Sequence, residues 1–268
     1  MGEGSARLLD VRGVPGIGGG RETFTEYNSY IRDFENIVAG GEQEVCGRYT
    51  LTTPVGTLAK EFGVTGPVPE VPPSYNIAPT QEVAVVLEDG GEHRLEMLRW
   101  GLIPSWADDP QIGSRMINAR SETAAEKPSF RRAFRERRCL IPADGFYEWQ
   151  GTSNGKQPFY IHMQDGSPFA FAGLWESWQN PEDSEIRTCT ILTTEANELL
   201  APIHNRMPVI LDSEDYELWL DTGVREVELL STLLKPYSSD TLEAYPVSRR
   251  VNSPANNEPS CIEPVAQA

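Results

Sequence analysis

From Cys46 onward the chain falls into short apolar runs separated by turn residues, and this rhythm persists to about Val247. Thr80 to Glu88 and Arg94 to Arg99 alternate or run apolar as strands do, and Asp89-Gly90-Gly91 between them predicts a hairpin turn. Cys139 to Trp149, Gln157 to Met163, Pro168 to Trp175 and Arg187 to Thr194 continue the series. Helices are predicted over Pro54 to Phe62, Ser121 to Arg137, Thr194 to Leu200, Ser213 to Leu220 and Val224 to Leu234, several opening on Ser, Thr or Asp. Strands and helices mix without a βαβ rhythm, so the fold class is α+β, a sheet-dominated core with interspersed helices rather than a doubly wound parallel sheet.

Residues 1–45 read differently, Gly-rich at Gly13 to Gly20 and without a convincing strand or long helix, and are expected to be a non-native or disordered N-terminal extension. Residues 46–250 form the expected domain, and the Pro- and Asn-rich residues 251–268 a flexible C-terminal tail. A chain of 268 residues can bury one sizeable core, and its length forces no second one.

The formal net charge of -17 comes with only four lysines, so the basic charge is nearly all arginine, a pattern that suggests a salt-adapted cytoplasm. Cys46, Cys139, Cys189 and Cys261 lie far apart, fitting neither a zinc knuckle nor a secreted disulfide framework. No run approaches the roughly 20 apolar residues of a membrane span, and no basic region followed by an apolar block opens the chain. The expectation is a cytoplasmic monomer without metal or small-molecule cofactor.

Against the acidic total, Arg115 to Arg138 holds seven arginines and one lysine with three glutamates, a surplus of five positive charges. A solvated helix face is the plain explanation. A phosphate-tracking groove is the sharper one, because guanidinium forks match phosphate oxygens. Trp100 and Trp106 precede the stretch, and Phe146, Tyr147 and Trp149 follow it. Arginines interleaved with rings suit single-stranded nucleic acid, unless the rings are core. Glu148, between Tyr147 and Trp149, is either a desolvated acid–base carboxylate or a solvent-facing strand position, since it shares a face with Phe146. Of the histidines, His93 reads as an inert turn residue, His162 as structural, and His204 as a loop residue where catalytic groups collect.

Cys46-Gly47-Arg48-Tyr49, Tyr75 to Thr80, Arg99 to Trp106, Asn118 to Thr123, Arg138 to Trp149 and His204 to Pro208 recur in this order in one family. Over about Cys46 to Val247 the chain resembles the SRAP family, the SOS-response-associated peptidases or abasic site processing proteins. The resemblance implies an irregular, barrel-like sheet with helices. It also implies an enzyme of DNA repair that crosslinks covalently to abasic sites in single-stranded DNA and shields them, with associated peptidase, hydrolase and lyase-type activity. Position by position, Cys46 corresponds to the crosslinking cysteine, with Asn118, Glu148 and His204 as catalytic companions. Arg48 and Arg120 correspond to DNA-contacting arginines, and Asn76, Trp106 and Trp149 are placed with them on the DNA.

The chemistry follows from the functional groups. An abasic deoxyribose opens to an aldehyde, an amine condenses with it to an imine, and a neighbouring thiolate closes a thiazolidine. Both nucleophiles must belong to one residue, so the cysteine must be N-terminal. An internal backbone nitrogen is an amide without a basic lone pair. Here Cys46 is preceded by Val45. The first expectation is translation from position 45, with residue 45 read as the initiator. Cleavage before Cys46, and loss of the covalent function, are the alternatives. Two other functions remain open: an N-terminal-nucleophile cysteine amidohydrolase or thiol protease, which leaves the arginines unexplained, and a non-covalent single-stranded DNA-binding module.

Overall fold

The computed structural model describes residues 47–180 and 184–265. In chain order its strands are β1 (Tyr49–Leu51), β2 (Ser74–Ile77), β3 (Glu82–Asp89), β4 (Glu92–Trp100), β5 (Asn118–Arg120), β6 (Arg138–Ala143), β7 (Gly145–Thr152), β8 (Gly155–Met163), β9 (Phe169–Gln179), β10 (Glu185–Glu195), β11 (Arg206–Pro208), β12 (Ile210–Leu211) and β13 (Leu242–Pro246). The helices are α1 (Val55–Glu61), α2 (Ser121–Ala124), α3 (Arg131–Glu136), α4 (Tyr216–Leu220) and α5 (Val227–Ser231).

Strands β10, β4, β3, β6 and β9 pair in that order, and β9 returns to β10, closing a five-stranded barrel. Closure removes the exposed edges that an open sheet would have to protect. Only the β4–β10 seam of the barrel is parallel, with Thr188 opposite Arg99 and Cys189 opposite Trp100. β6 and most of β3 are buried on both faces, which explains their continuous apolar runs. A second, antiparallel sheet in the order β13-β8-β7-β1-β2 covers one side. The two meet through aromatic edges: the Tyr49 ring lies 5.4 Å from Trp100 and 5.8 Å from Phe171, and Phe146 lies 6.0 Å from Phe171.

The α+β class and the Asp89-Gly90-Gly91 turn stand as predicted: β3 and β4 pair from Glu82–Arg99 to Asp89–Glu92 around two glycines at φ +64° and +86°. That pair of left-handed residues matches the twist of the flanking strands. The expected strand Cys139 to Trp149 is two strands broken at Asp144, where the chain leaves the barrel for the second sheet. The Asp144 carboxylate fixes this corner by accepting hydrogen bonds from Thr52 Oγ1 at 2.8 Å and from Thr53 N and Oγ1 at 3.0 and 2.7 Å. Gly145 follows because a Cβ there would stand 2.4 Å from the Tyr160 ring.

The predicted helix over Ser121 to Arg137 is instead α2 and α3. Pro128 between them lacks an N–H and disfavours a helical conformation at Lys127. The predicted helix over Thr194 to Leu200 is absent. Thr194 and Glu195 stay in β10, paired with Met207 and Arg206, and the Asn197 side chain takes up the Leu200 N–H at 3.0 Å, holding a turn instead. The helices predicted from Pro54, Ser213 and Val224 are present but shorter, as α1, a 3-10 turn leading into α4, and α5.

The stretch from residue 251, expected to be a flexible tail, is packed as far as residue 265. Val251 and Cys261 are fully buried, Val247 bridges to Pro264, and 3-10 turns form at Arg249–Asn252 and Pro259–Cys261. Polar side chains of the second sheet that seek backbone carbonyls hold it in place. Residues 1–45 and Cys46 lie outside the described residues.

Candidate active site

The C-terminal end of β10 gathers the motif residues. On one side β5 runs parallel to it, with Asn118 opposite Ile191 and Arg120 opposite Thr193. On the other, β11 runs antiparallel, with Arg206 opposite Glu195. His204 stands two residues before β11, at the same end of β10. The Arg206 guanidinium ties the two sides together, bonding both carboxylate oxygens of Glu122 and the carbonyl of Thr193.

Glu148 enters from the second sheet. Gln150, two residues further along β7 and on the same face, donates from Nε2 to the Pro202 carbonyl at 2.9 Å, fastening β7 to the His204 loop. Both Glu148 and His204 are buried, at 2% and 7% exposure, so the solvent-facing alternative for Glu148 fails. The alternation of β7 explains why: Phe146 packs into the main core, whereas Tyr147 and Trp149 join a second cluster with Tyr160 and Val251 on the opposite face. The chain enters the domain here. Tyr147 N donates to the Arg48 carbonyl at 3.0 Å, which carries the β1–β7 pairing one step beyond β1 toward Glu148.

Burial pushes the His204 imidazole below its ordinary value of 6.5, and the charges of Lys156 and Arg206 act in the same direction against a hydrogen bond to Arg206. The other histidines are structural. His93, in β4 rather than a turn, contacts the Phe62 carbonyl, and His162 stacks on Tyr160. Cys139, Cys189 and Cys261 are buried, and burial raises the thiols of Cys139 and Cys189. None of the three is a ready nucleophile.

The expected DNA contacts divide. Trp106 is 58% exposed in the loop after β4 and is free to stack. Arg120 is exposed. Arg48 and Asn76 are buried at 4% and 1% and committed within the protein. Arg48 donates to Asn76 Oδ1 and to the carbonyls of Val251 and Asn252, and burial lowers its guanidinium to about 10. Asn76 Nδ2 faces the carbonyls of Val251, Ser253 and Asn256. Trp149 gives its indole N–H to Asn252 Oδ1 at 2.8 Å. These three side chains anchor the C-terminal segment.

The basic stretch contracts in the same way. Arg138, 1% exposed, caps the carbonyls of Phe134, Arg135, Trp219, Asp221 and Val224, and Arg137 pairs with Glu176 beside the Trp175 ring. Arg115, Arg120, Arg131, Arg132 and Arg135 stay on the surface, Arg132 against Glu136. Trp100, Phe146 and Tyr147 are core. The site also includes Glu122, Gln150, Thr193 and Arg206, which the sequence pattern did not single out. Glu122 and Arg206 stood inside recognised motifs, whereas nothing in the sequence marks Gln150. Among the described residues no group of three or more His, Cys, Asp and Glu side chains is placed to hold a metal ion.

Comparison with known proteins places the chain in a family. The profile of the SOS response associated peptidase (SRAP) family matches residues 45–254. The chain is 48% identical over 222 residues to abasic site processing protein YoqW of Bacillus subtilis, covering 82% of this chain and 99% of that one. It is 34% identical over 225 residues to abasic site processing protein HMCES of Gallus gallus, covering 72% of this chain and 66% of that one. A crystal structure of a protein from Bacteroides thetaiotaomicron superimposes with a TM-score of 0.74 at 28% identity, over 82% of this chain and all of that one.

Proposed function

Since the chain belongs to the SOS response associated peptidase family, we propose that it processes abasic sites in single-stranded DNA by forming a thiazolidine with Cys46 once that residue is N-terminal. The observation that carries the reading is the burial of Glu148 and His204 on two segments fastened together by the Gln150–Pro202 hydrogen bond, with the Glu148 strand paired beside Arg48. The burial of the other three thiols supports it.

Freeing Cys46 from residues 1–45, where they are present, hydrolyses the Val45–Cys46 amide. This consumes one water and releases the α-amine, which is the peptidase step of the reading. The amine then adds to the aldehyde carbon of the opened sugar, and the carbinolamine loses water to give the imine. The thiolate closes on the same carbon while the imine nitrogen takes a proton, so capture releases one water in all. The unperturbed α-amine and thiol have pKa values of about 7.7 to 8.0 and 8.5, so modest help from the site makes both competent near neutrality. Holding both on one residue supplies the proximity advantage.

Glu148 shuttles protons through carbinolamine loss and ring closure, and His204 donates to the sugar oxygen as the ring opens. Asn118 orients the sugar. Arg120 grips a flanking phosphate, and Trp106 stacks on a neighbouring base. Arg48, Asn76 and Trp149 contribute by fixing the framework beside Gly47.

The test mixes single-stranded DNA carrying one abasic site with protein beginning at Cys46, with the full chain, and with a Cys46→Ala variant. A band surviving denaturation is expected with the first and not with the third. The full chain should give it only in proportion to molecules already cleaved. Equal protection of the lesion by Cys46→Ala would establish the non-covalent binding module instead.

A further inference from the structure

Arg206 faces two partners at once. Its backbone N–H donates to Nδ1 of His204 at 3.1 Å. Its guanidinium clasps Glu122, Nη1 to Oε1 at 2.5 Å and Nη2 to Oε2 at 2.9 Å, and Nη2 also donates to the Thr193 carbonyl at 2.7 Å. A ring nitrogen that accepts a backbone N–H carries no proton, so the proton of the neutral ring sits on Nε2. The Arg206 carbonyl lies 3.3 Å from the same Nδ1. The N–H contact is the shorter of the two and favours an Nδ1 without a proton.

Nε2 is buried and meets no hydrogen-bond partner among the described residues. A buried donor left unsatisfied destabilises the fold, and such a group is explained when a ligand supplies the acceptor. The charged groups acting on the ring are Lys156 from β8 and Arg206 from β11, and both disfavour a second proton on it. Glu122 stays ionised: burial opposes this, but the Arg206 hydrogen bond and the charges of Arg206 and Arg120 outweigh it.

We propose that Glu122, acting through Arg206, is a positioning residue that holds His204 as the neutral Nε2–H tautomer, the form that donates a hydrogen bond to a substrate oxygen. The identification of that oxygen with the abasic sugar rests on the function proposed above; the tautomer does not. The Glu122 side chain is 50% exposed, so the ion pair adds little to stability. Its contribution is geometric, because the two-pronged bond ties Arg206 of β11 to α2 across the end of β10.

The chain has three histidines, so nitrogen-15 NMR of its imidazoles can resolve His204 in the full chain. Wild-type protein should show the proton on Nε2 alone. Glu122→Ala should show a mixture of tautomers, and Glu122→Gln, which keeps one prong, a smaller change. In the capture assay Glu122→Ala should react about tenfold more slowly at unchanged DNA affinity, a part of the roughly 10²- to 10³-fold that a preorganised hydrogen-bond donor contributes. The proposal is overturned if wild-type His204 carries its proton on Nδ1. It is overturned equally if Glu122→Ala leaves tautomer and rate unchanged, or lowers only the melting temperature as a purely structural residue would. Absence of capture by wild-type protein would refute the proposed function, whereas the NMR spectra would still decide the tautomer.

Discussion

Replacing Asn76 with alanine separates a framework role from DNA contact. The amide accepts from Arg48 at 3.1 Å and faces three carbonyls of the C-terminal segment at 2.8 to 3.1 Å. Nδ2 has two hydrogens for those three acceptors, so two full bonds plus the Arg48 bond are lost on truncation. At about 1 kcal/mol for each net hydrogen bond, and 1 to 3 kcal/mol for a buried group left unpaired, the loss is about 4 to 6 kcal/mol. For a domain of this size each kcal/mol moves the melting temperature by about 2 to 4 °C, which predicts a drop of about 8 to 24 °C. Asn76→Asp should do no better, because its carboxylate would keep Arg48 but face the three carbonyls without a hydrogen. Denaturant melts give the free energy, and titration with single-stranded DNA at a temperature where the variant is folded gives the affinity. A loss below about 1 kcal/mol accompanied by weakened DNA binding would refute the framework role and restore Asn76 as a DNA ligand.

Trp106→Ala should leave the melting temperature unchanged and remove about 1 to 3 kcal/mol of base stacking, weakening single-strand binding about 5- to 150-fold; a destabilised variant with normal binding would contradict this. Glu148→Gln should slow capture by about 10²- to 10⁴-fold without altering DNA affinity, as single-turnover rates on a denaturing gel would show. Because His204 binds a proton less readily folded than unfolded, its share of stability is complete above pH about 6.5 and declines as pH falls from there through its lowered folded value. Melts of His204→Gln should lack this part of the acid-side decline.

What could be read from the sequence was what depends on neighbours in the chain. Gly90 and Gly91 announce their turn because two left-handed residues suffice for it. Pro128 was an equally local signal against one helix over Ser121 to Arg137. Alternation put Glu148 opposite Tyr147 and Trp149, but only pairing with β1 decides that the Phe146 side is the interior. Asn76 bonds a carbonyl 175 residues away and Arg206 a carboxylate 84 residues away. No local pattern reports such distances, so the C-terminal segment read as loose and Asn76 as a ligand. The arginine run misled for a related reason: charge is visible in a sequence, but the carbonyls that absorb it at Arg138 belong to helix ends brought there by folding.

The account stands or falls on the linkage between protein and lesion, and intact mass spectrometry of the adduct tests it most directly. The predicted mass is that of protein beginning at Cys46 plus DNA less one water, and the crosslinked peptide should start at Cys46 with both amine and thiol blocked. An adduct in which Val45 is still joined to Cys46, or in which the sugar is attached to any other residue, would contradict it.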